Sequence, residues 1–430
     1  MFKQLWRAIW TSVFDWKSNP MDGDFVFQSE QLTWALSLLS EHTASGHDLL
    51  PCPPSFSLPS ELPIQGSGGV PALKHLADGF FPSAARLGHP GYFAHMDPPT
   101  PWVSWAGALW AASCNQNLLH QDTGSGARDL EETVVGWLAP FFGMNGGHLV
   151  PGSTLANLTA LWAARELKGV RRVIASEVAH LSIRKAASLL NLAFHEVPVD
   201  TEQRLRPEAL NGIDLGEAAV VLTAGTAAAG AIDPLDAFPD AAWRHVDSAW
   251  AGPLRLTRHA GLLEGIQDAD SVAVSAHKWL FQPKESALVL FQKPGEAHEA
   301  MSFGGGYLAV PNVGLLGSHG ATALPLAATL LSWGRKGIAE RIEHCMALAG
   351  RLASRVAEEP ELALFGQPET GVVLWRPRHG SAEAVRARMQ DAFVSLTQVG
   401  GEYWFRSVAA NPNADPDQVV DSALAALKSV

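Results

Sequence analysis

Apolar residues recur along this chain in two rhythms. In Gln28–Ser40, Leu32, Leu36 and Leu39 fall at helical spacing. Leu5, Ile9, Trp10 and Val13 do the same in residues 1–16, around Arg7 and Asp15. Both patterns predict amphipathic helices that need a surface to cover. A Pro-, Ser- and Gly-rich crossing, Leu50–Val70, follows, so residues 1–75 read as a helical arm and linker. From 76 to 322 the rhythm changes to short apolar, β-branched runs separated by helical stretches. The runs are Arg172–Ala175, Phe194–Val197, Ala219–Leu222, Trp243–Val246, Ser271–Val274 and Ala287–Phe291. Such alternation predicts βαβ crossovers, and strands buried on both faces read as near-continuous apolar runs. The expected fold class is α/β with a mostly parallel central sheet. From 323 a long helical segment, Leu324–Val356, leads to short strands near Ala363–Phe365, Val372–Trp375 and Tyr403–Val408, with helices at Ala382–Ala392 and Pro416–Leu427. Residues 323–430 therefore read as a small α+β C-terminal domain.

Composition narrows the partners. The formal charge is −12 and no block of Lys or Arg stands out, which argues against nucleic acid or an anionic membrane surface and for a small molecule. The longest apolar stretch beyond the first helix, Ala321–Trp333, carries Pro325 and two Thr and falls short of the roughly 20 residues a bilayer requires. No membrane span is expected. Cys52, Cys114 and Cys345 lie far apart, matching neither a disulfide framework nor a zinc spacing. A reducing cytoplasm and no bound metal are the expectation.

In a parallel α/β sheet, ligands collect at the carboxyl ends of the strands. Ser275-Ala276-His277-Lys278-Trp279 follows the run Ser271–Val274. A lysine there loses solvation, which lowers its pKa and leaves an amine able to form a Schiff base. Most lysines are simply surface residues, but Val272–Val274 before it and Trp279–Phe281 after it argue against that here. Asp247, in His245-Val246-Asp247-Ser248-Ala249-Trp250, closes the run that begins at Trp243, 31 residues upstream of Lys278. Alone it reads equally as a helix cap or a metal ligand. Facing a pyridinium nitrogen, an ionised carboxylate would keep the ring protonated, and small Ser248 and Ala249 leave room for a flat ring. The glycine-rich turn Gly146–Asn157 opens a helix running to about Leu167. Its Ser153 and Thr154, with the free amides of a first helical turn, suit a phosphate. Such turns are common, and this spacing is neither GxGxxG nor GxxxxGK[ST], which counts against a dinucleotide fold and a P-loop. His180, between a strand and a helix, is by itself an ordinary polar residue. In this company it could stack on the ring face opposite Ala249.

In this order GSTLAN, SEVAHLS, HVDSAWAG and SAHKWL resemble the pyridoxal-phosphate enzymes of the aspartate-aminotransferase fold (fold type I). Within them they resemble the group II amino-acid decarboxylases, which act on aromatic amino acids, glutamate, histidine or diaminobutyrate. The resemblance runs from about His89 to the C-terminus and takes in His89–His95, Pro99-Thr100-Pro101, Asn115–Asn117 and Leu130-Glu131-Glu132. It implies pyridoxal 5'-phosphate as cofactor and removal of the α-carboxylate of an L-amino acid as CO2, leaving an amine. It further implies that Lys278 holds the cofactor as a Schiff base, that Asp247 pairs with the pyridine nitrogen, and that Ala249 and His180 sandwich the ring. Ser153, Thr154, Ser275 and His277 would hold the phosphate. Thr226 would lie beside the cofactor, and Thr100 near the substrate carboxylate. Tyr92 and Phe93, with Trp102 and Trp105, form an aromatic approach. A homodimer with shared sites is implied, the arm covering the partner.

Two departures from the family pattern stand out. Where the family has two threonines after the glycine, this chain has Thr226 and then Ala227, so one hydrogen bond near the cofactor is lost. The family's long tyrosine-bearing loop is short here, Met301–Ser318, and Tyr307 matches a tyrosine before the loop. Protonation of Cα then falls to His180, Tyr307 or water. That keeps open oxidative deamination to an aldehyde, a lyase or aminotransferase outcome, and a catalytically silent cofactor-binding homologue.

Overall fold

Strand and helix alternate where the two rhythms predict, and the computed structural model describes residues 25–44, 49, 58–305, 308 and 312–429. The helix expected within 1–16, the start of the crossing at Leu50, Cys52 and Tyr307 lie outside the described residues. The chain divides into two compact units, Met1–Arg86 and Leu87–Val430. The first contains helices α1 (Ser29–Ala44) and α2 (Gly69–Phe80).

The second unit is built on a seven-stranded sheet. Its strands are β1 (Gly146–Val150), β2 (Arg172–Ser176), β3 (Ala193–Val197), β4 (Ala218–Thr223), β5 (Trp243–Asp247), β6 (Ser271–Ser275) and β7 (Ala287–Phe291). The spatial order is β1-β7-β6-β5-β4-β2-β3. The pairs from β6 through β5, β4 and β2 to β3 are parallel, and β7 runs antiparallel to both its neighbours. Every residue of β4, β6 and β7 is buried, as covering on both faces requires.

Helices α3 (Trp102–Cys114), α4 (Gln121–Leu138), α5 (Ser153–Lys168), α6 (Leu181–Leu189) and α7 (Pro294–Ala300) belong to this layer. A two-stranded ribbon, β8 (Ser302–Phe303) with β9 (Asn312–Val313), brackets the short loop. Helix α8 (Ala323–Glu358) then leads out, interrupted at Gly334, whose φ of 60° and ψ of 177° break the helical path. A four-stranded antiparallel sheet in the order β10-β11-β13-β12 follows, from β10 (Leu362–Leu364), β11 (Val372–Pro377), β12 (Ser395–Val399) and β13 (Glu402–Val408). Helix α9 (Ala382–Arg386) stops six residues short of the expected end at Ala392, because the chain turns to set Phe393 beside Tyr92. The chain closes with α10 (Pro416–Leu427), capped by Asp415 on the Asp417 amide with Pro416 in its first turn. Trp279 and Trp250, stacked at 4.1 Å, tie the main sheet to the small one: their indole nitrogens donate to Ala409 O and Thr370 O. No helix among the described residues is long and apolar enough to cross a membrane.

Candidate active site

The start of α5 lies against β5 and β6, with the end of β4 in register beside β5, and several polar side chains meet there. Asp247, 4% exposed, ends β5. Its Oδ1 accepts from the Ala249 amide at 3.1 Å and its Oδ2 from Asn157 Nδ2 at 2.9 Å. The same Asn157 nitrogen reaches Ser182 Oγ at 2.9 Å, and Asn157 Oδ1 lies 2.9 Å from His245 Nε2. His245 Nδ1 is 2.9 Å from Ser271 Oγ, which accepts from Trp243 Nε1 at 2.8 Å. Ser182 Oγ lies 2.8 Å from His180 Nδ1, and His180 also caps α6. Burial holds the His245 imidazole neutral, its pKa pushed down to about 4 against the pull of Asp247.

Lys278 follows β6. Desolvation lowers the pKa of its amine, opposed by Asp247 and aided by Arg406 on β13. His180, exposed on its open side, is also lowered by desolvation and responds to both Asp247 and Lys278, so the three form one electrostatic group. Arg406 is itself held down to about 10 by burial. Its Nε donates to Ala227 O at 2.5 Å, and among the described residues no ion pair reaches its other nitrogens. Asp97 and Lys284, an ion pair, lie close enough to influence Lys278 as well.

The turn before α5 makes a cradle. Gly152 has φ of +93°, a value that favours glycine, and a Cβ there would sit 3.6 Å from His277 Cε1. The first amides to bond back into the helix are those of Leu155 and Ala156, leaving the amides of Ser153 and Thr154 outside the ladder. Ser275 Oγ is buried without a partner. A hydroxyl awaiting an acceptor, unused first-turn amides and the half-buried Ser153 and Thr154 fit a phosphate. His277 flanks this cradle as a neutral ring, pushed down to about 4 by burial and by Lys284 and Lys278.

The remaining residues singled out in the sequence are more dispersed. Thr226 is buried, but its Oγ1 accepts from the Ala231 amide within its own turn. Thr223, one strand over from Asp247 in register, instead has a buried Oγ1 without a partner. Thr100 Oγ1 accepts from Trp105 Nε1 at 2.6 Å. Phe93 is fully buried within the main apolar core. Tyr92 packs on Phe393, its hydroxyl pushed up to about 12 by burial and the Asp97 charge. Asn157 and Arg406 are the functional candidates that sequence reasoning passed over. Asn157 had a signal in the GSTLAN segment, as a polar residue on the apolar face of a helix. Arg406 had one in the alternation of β13.

A mostly parallel sheet of this order, with a lysine and a carboxylate at adjacent strand ends beside a hydroxyl-lined helix N-terminus, defines a pyridoxal-phosphate enzyme of fold type I. Residues 80–378 match the pyridoxal-dependent decarboxylase conserved domain. The chain belongs to that family and is a pyridoxal-phosphate-dependent amino-acid decarboxylase, releasing CO2 from an L-amino acid to leave the amine. It is 30% identical over 403 residues to the L-2,4-diaminobutyrate decarboxylase of Rhizobium meliloti (strain 1021), covering 83% of this chain and 81% of that one. To the cysteine sulfinic acid decarboxylase of Mus musculus it is 34% identical over 227 residues, 46% of each. Among solved structures, Oryza sativa TDC with PLP and tryptamine matches with a TM-score of 0.84 at 21% identity, over 94% of this chain and 99% of that one. Rhodiola rosea 4-hydroxyphenylacetaldehyde synthase matches at 0.82 and 18%, over the same shares, and these two show the fold. The curated relatives are named decarboxylases, which does not favour the aldehyde-forming, transaminating or silent readings.

Proposed function

We propose that Lys278 carries the cofactor, that Asp247 faces its ring nitrogen, and that Ser153, Thr154, Ser275 and His277 hold its phosphate. Ala249 and His180 line the two ring faces, and Thr226 braces the turn beside them. Arg406 meets the substrate carboxylate, with Thr100 and Tyr92 in the surrounding wall and Phe93 packing behind it. The observation that carries this reading is a desolvated lysine amine in the fields of both Asp247 and Arg406.

Each residue has a definite task. Burial lowers the Lys278 pKa, so more of its amine is neutral and nucleophilic. Asp247, fixed by two hydrogen bonds, keeps a negative charge at one point. Arg406 orients a carboxylate by charge and fork geometry. His180 places an imidazole that can hold a proton above the site, and Tyr307 from the short loop is a second candidate proton donor. When bound, the cofactor supplies the electron-withdrawing ring that takes up the electrons left at Cα.

The parts of the chain support an arm (1–75), a large cofactor-binding domain (76–322) and a small C-terminal domain (323–430), since the two main sheets fall one in each of the last two. The protein works as a homodimer with shared sites. Supporting this, Trp102, Trp105 and Leu109 form an exposed stripe on α3 at i, i+3 and i+7. Free Cys114 and Cys345 are compatible with a cytoplasmic location.

Reducing the holoenzyme with borohydride and mapping the modified peptide tests the reading. The cofactor is expected covalently on Lys278; modification of another lysine would overturn it. Measuring CO2 release across the amino acids then identifies the substrate.

A further inference from the structure

The hydrogen bonds beneath the site run in one direction, and Asn157 stands at their fork. Its Nδ2 lies 2.9 Å from both Asp247 Oδ2 and Ser182 Oγ, and its Oδ1 2.9 Å from His245 Nε2. An ionised carboxylate only accepts. The amide nitrogen of Asn157 must therefore face Asp247, which leaves the amide oxygen facing His245. That oxygen also only accepts, so the proton of a neutral His245 sits on Nε2 and its Nδ1 is bare. Nδ1 is 2.9 Å from Ser271 Oγ, which already takes the indole N–H of Trp243, a donor-only group. Ser271 accordingly gives its own proton to His245.

The second branch follows the same logic. Ser182 Oγ accepts from Asn157 and has one proton to give. His180 Nδ1, 2.8 Å away, receives it, and the Ser182 backbone amide points to the same nitrogen at 3.3 Å. A neutral His180 therefore carries its proton on Nε2. Asn157 is 1% exposed, and Ser182, His245 and Ser271 are completely buried, so water does not compete for the bonds among these four, while the bonds to His180 are half-buried.

We propose that Asn157 is a positioning residue that transmits the charge on Asp247 into a single polarity for this network, fixing His245 and His180 as Nε2–H tautomers. The open edge of His180 is then a donor to the site. The catalytic meaning rests on the proposed roles of Asp247 and His180, whereas the tautomers are properties of the chain itself.

The test reads the tautomers directly. In the full-length protein with isotope-labelled histidine nitrogens, His180 and His245 are assigned by single His→Gln replacement and read by nitrogen–proton correlation. Both are expected to have a pyridine-like Nδ1 and a pyrrole-like Nε2. Asn157→Leu removes the acceptor and is expected to move His245 toward Nδ1–H. Asn157→Asp keeps an acceptor for His245 and is expected to retain Nε2–H. A protonated Nδ1 on either ring in the wild type overturns the proposal even if the variants do not fold, and so does an unchanged His245 in Asn157→Leu. Borohydride labelling away from Lys278 would sink the cofactor assignment while leaving these tautomers standing.

Discussion

Asp247 makes two hydrogen bonds, and both come from donors that are themselves buried: the Ala249 amide and Asn157 Nδ2. Replacing it by Asn removes the charge and sets an amide nitrogen against one of those donors. We expect Asp247→Asn to keep its fold by circular dichroism and lose about a thousandfold in turnover, the equivalent of roughly 4 kcal/mol of transition-state stabilisation. Turnover within tenfold of wild type would make Asp247 a structural cap. Lys278 and Asp247 stood out in the sequence because each follows an apolar run, where a polar residue is out of place, whereas His180 stood out only in the company of the other segments. Asn157 and Arg406 were harder to find. Their partners lie 90 and 179 residues away, and a single polar residue in a helix or strand ordinarily faces water.

At the scale of elements, the start of α5 and the end of β6 build one cradle from two pieces of chain. Ser275 Oγ there is buried and unpartnered, a state that costs folding energy unless a ligand satisfies it. Ser275→Ala should therefore leave the cofactor-free protein as stable as wild type or slightly more so, while weakening cofactor binding about tenfold, or roughly 1.4 kcal/mol. Cofactor titration with a thermal melt of the apoprotein separates the two effects; unchanged affinity would remove Ser275 from the phosphate site. Six central strands were legible as apolar runs, but β1 read only as a glycine-rich turn. Gly146 and Gly147 carry no strand signal, and a Cβ on Gly147 would lie 1.9 Å from Val289 O. Only pairing with β7 makes this segment a strand. β12 escaped for a related reason: Ser395–Val399 mixes polar and apolar residues at the end of its sheet.

Two properties belong to the whole molecule. On α3 the inner face packs tightly, since a Cβ on Gly107 would come within 2.8 Å of Pro325 Cα. That leaves the tryptophans outward, with Trp102 72% exposed and Trp110 62% exposed. If this face is the subunit contact, Trp102→Glu should halve the mass seen in sedimentation while the chain stays folded; an unchanged mass would move the interface elsewhere. The second property is acid sensitivity. His245 is pushed down to about 4 and His148 to about 3, in both cases mainly by burial, with His298 and His319 adding to the effect at His148. Between the ordinary histidine value near 6.5 and these depressed values, the unfolded chain binds protons that the folded chain refuses. The stability these two rings contribute is thus complete above about pH 6.5 and falls as the pH drops through that window, opposed in part by buried Asp233, whose carboxyl is pushed up to about 6. For His245 the full cost is roughly 3.5 kcal/mol at about 1.4 kcal/mol per pKa unit. Denaturant midpoints should accordingly fall between pH 7 and 4.5, and less steeply in His148→Leu, which has no ring to charge there. A wild-type midpoint that stays flat across that range would mean that both rings are protonated in the folded state at little cost.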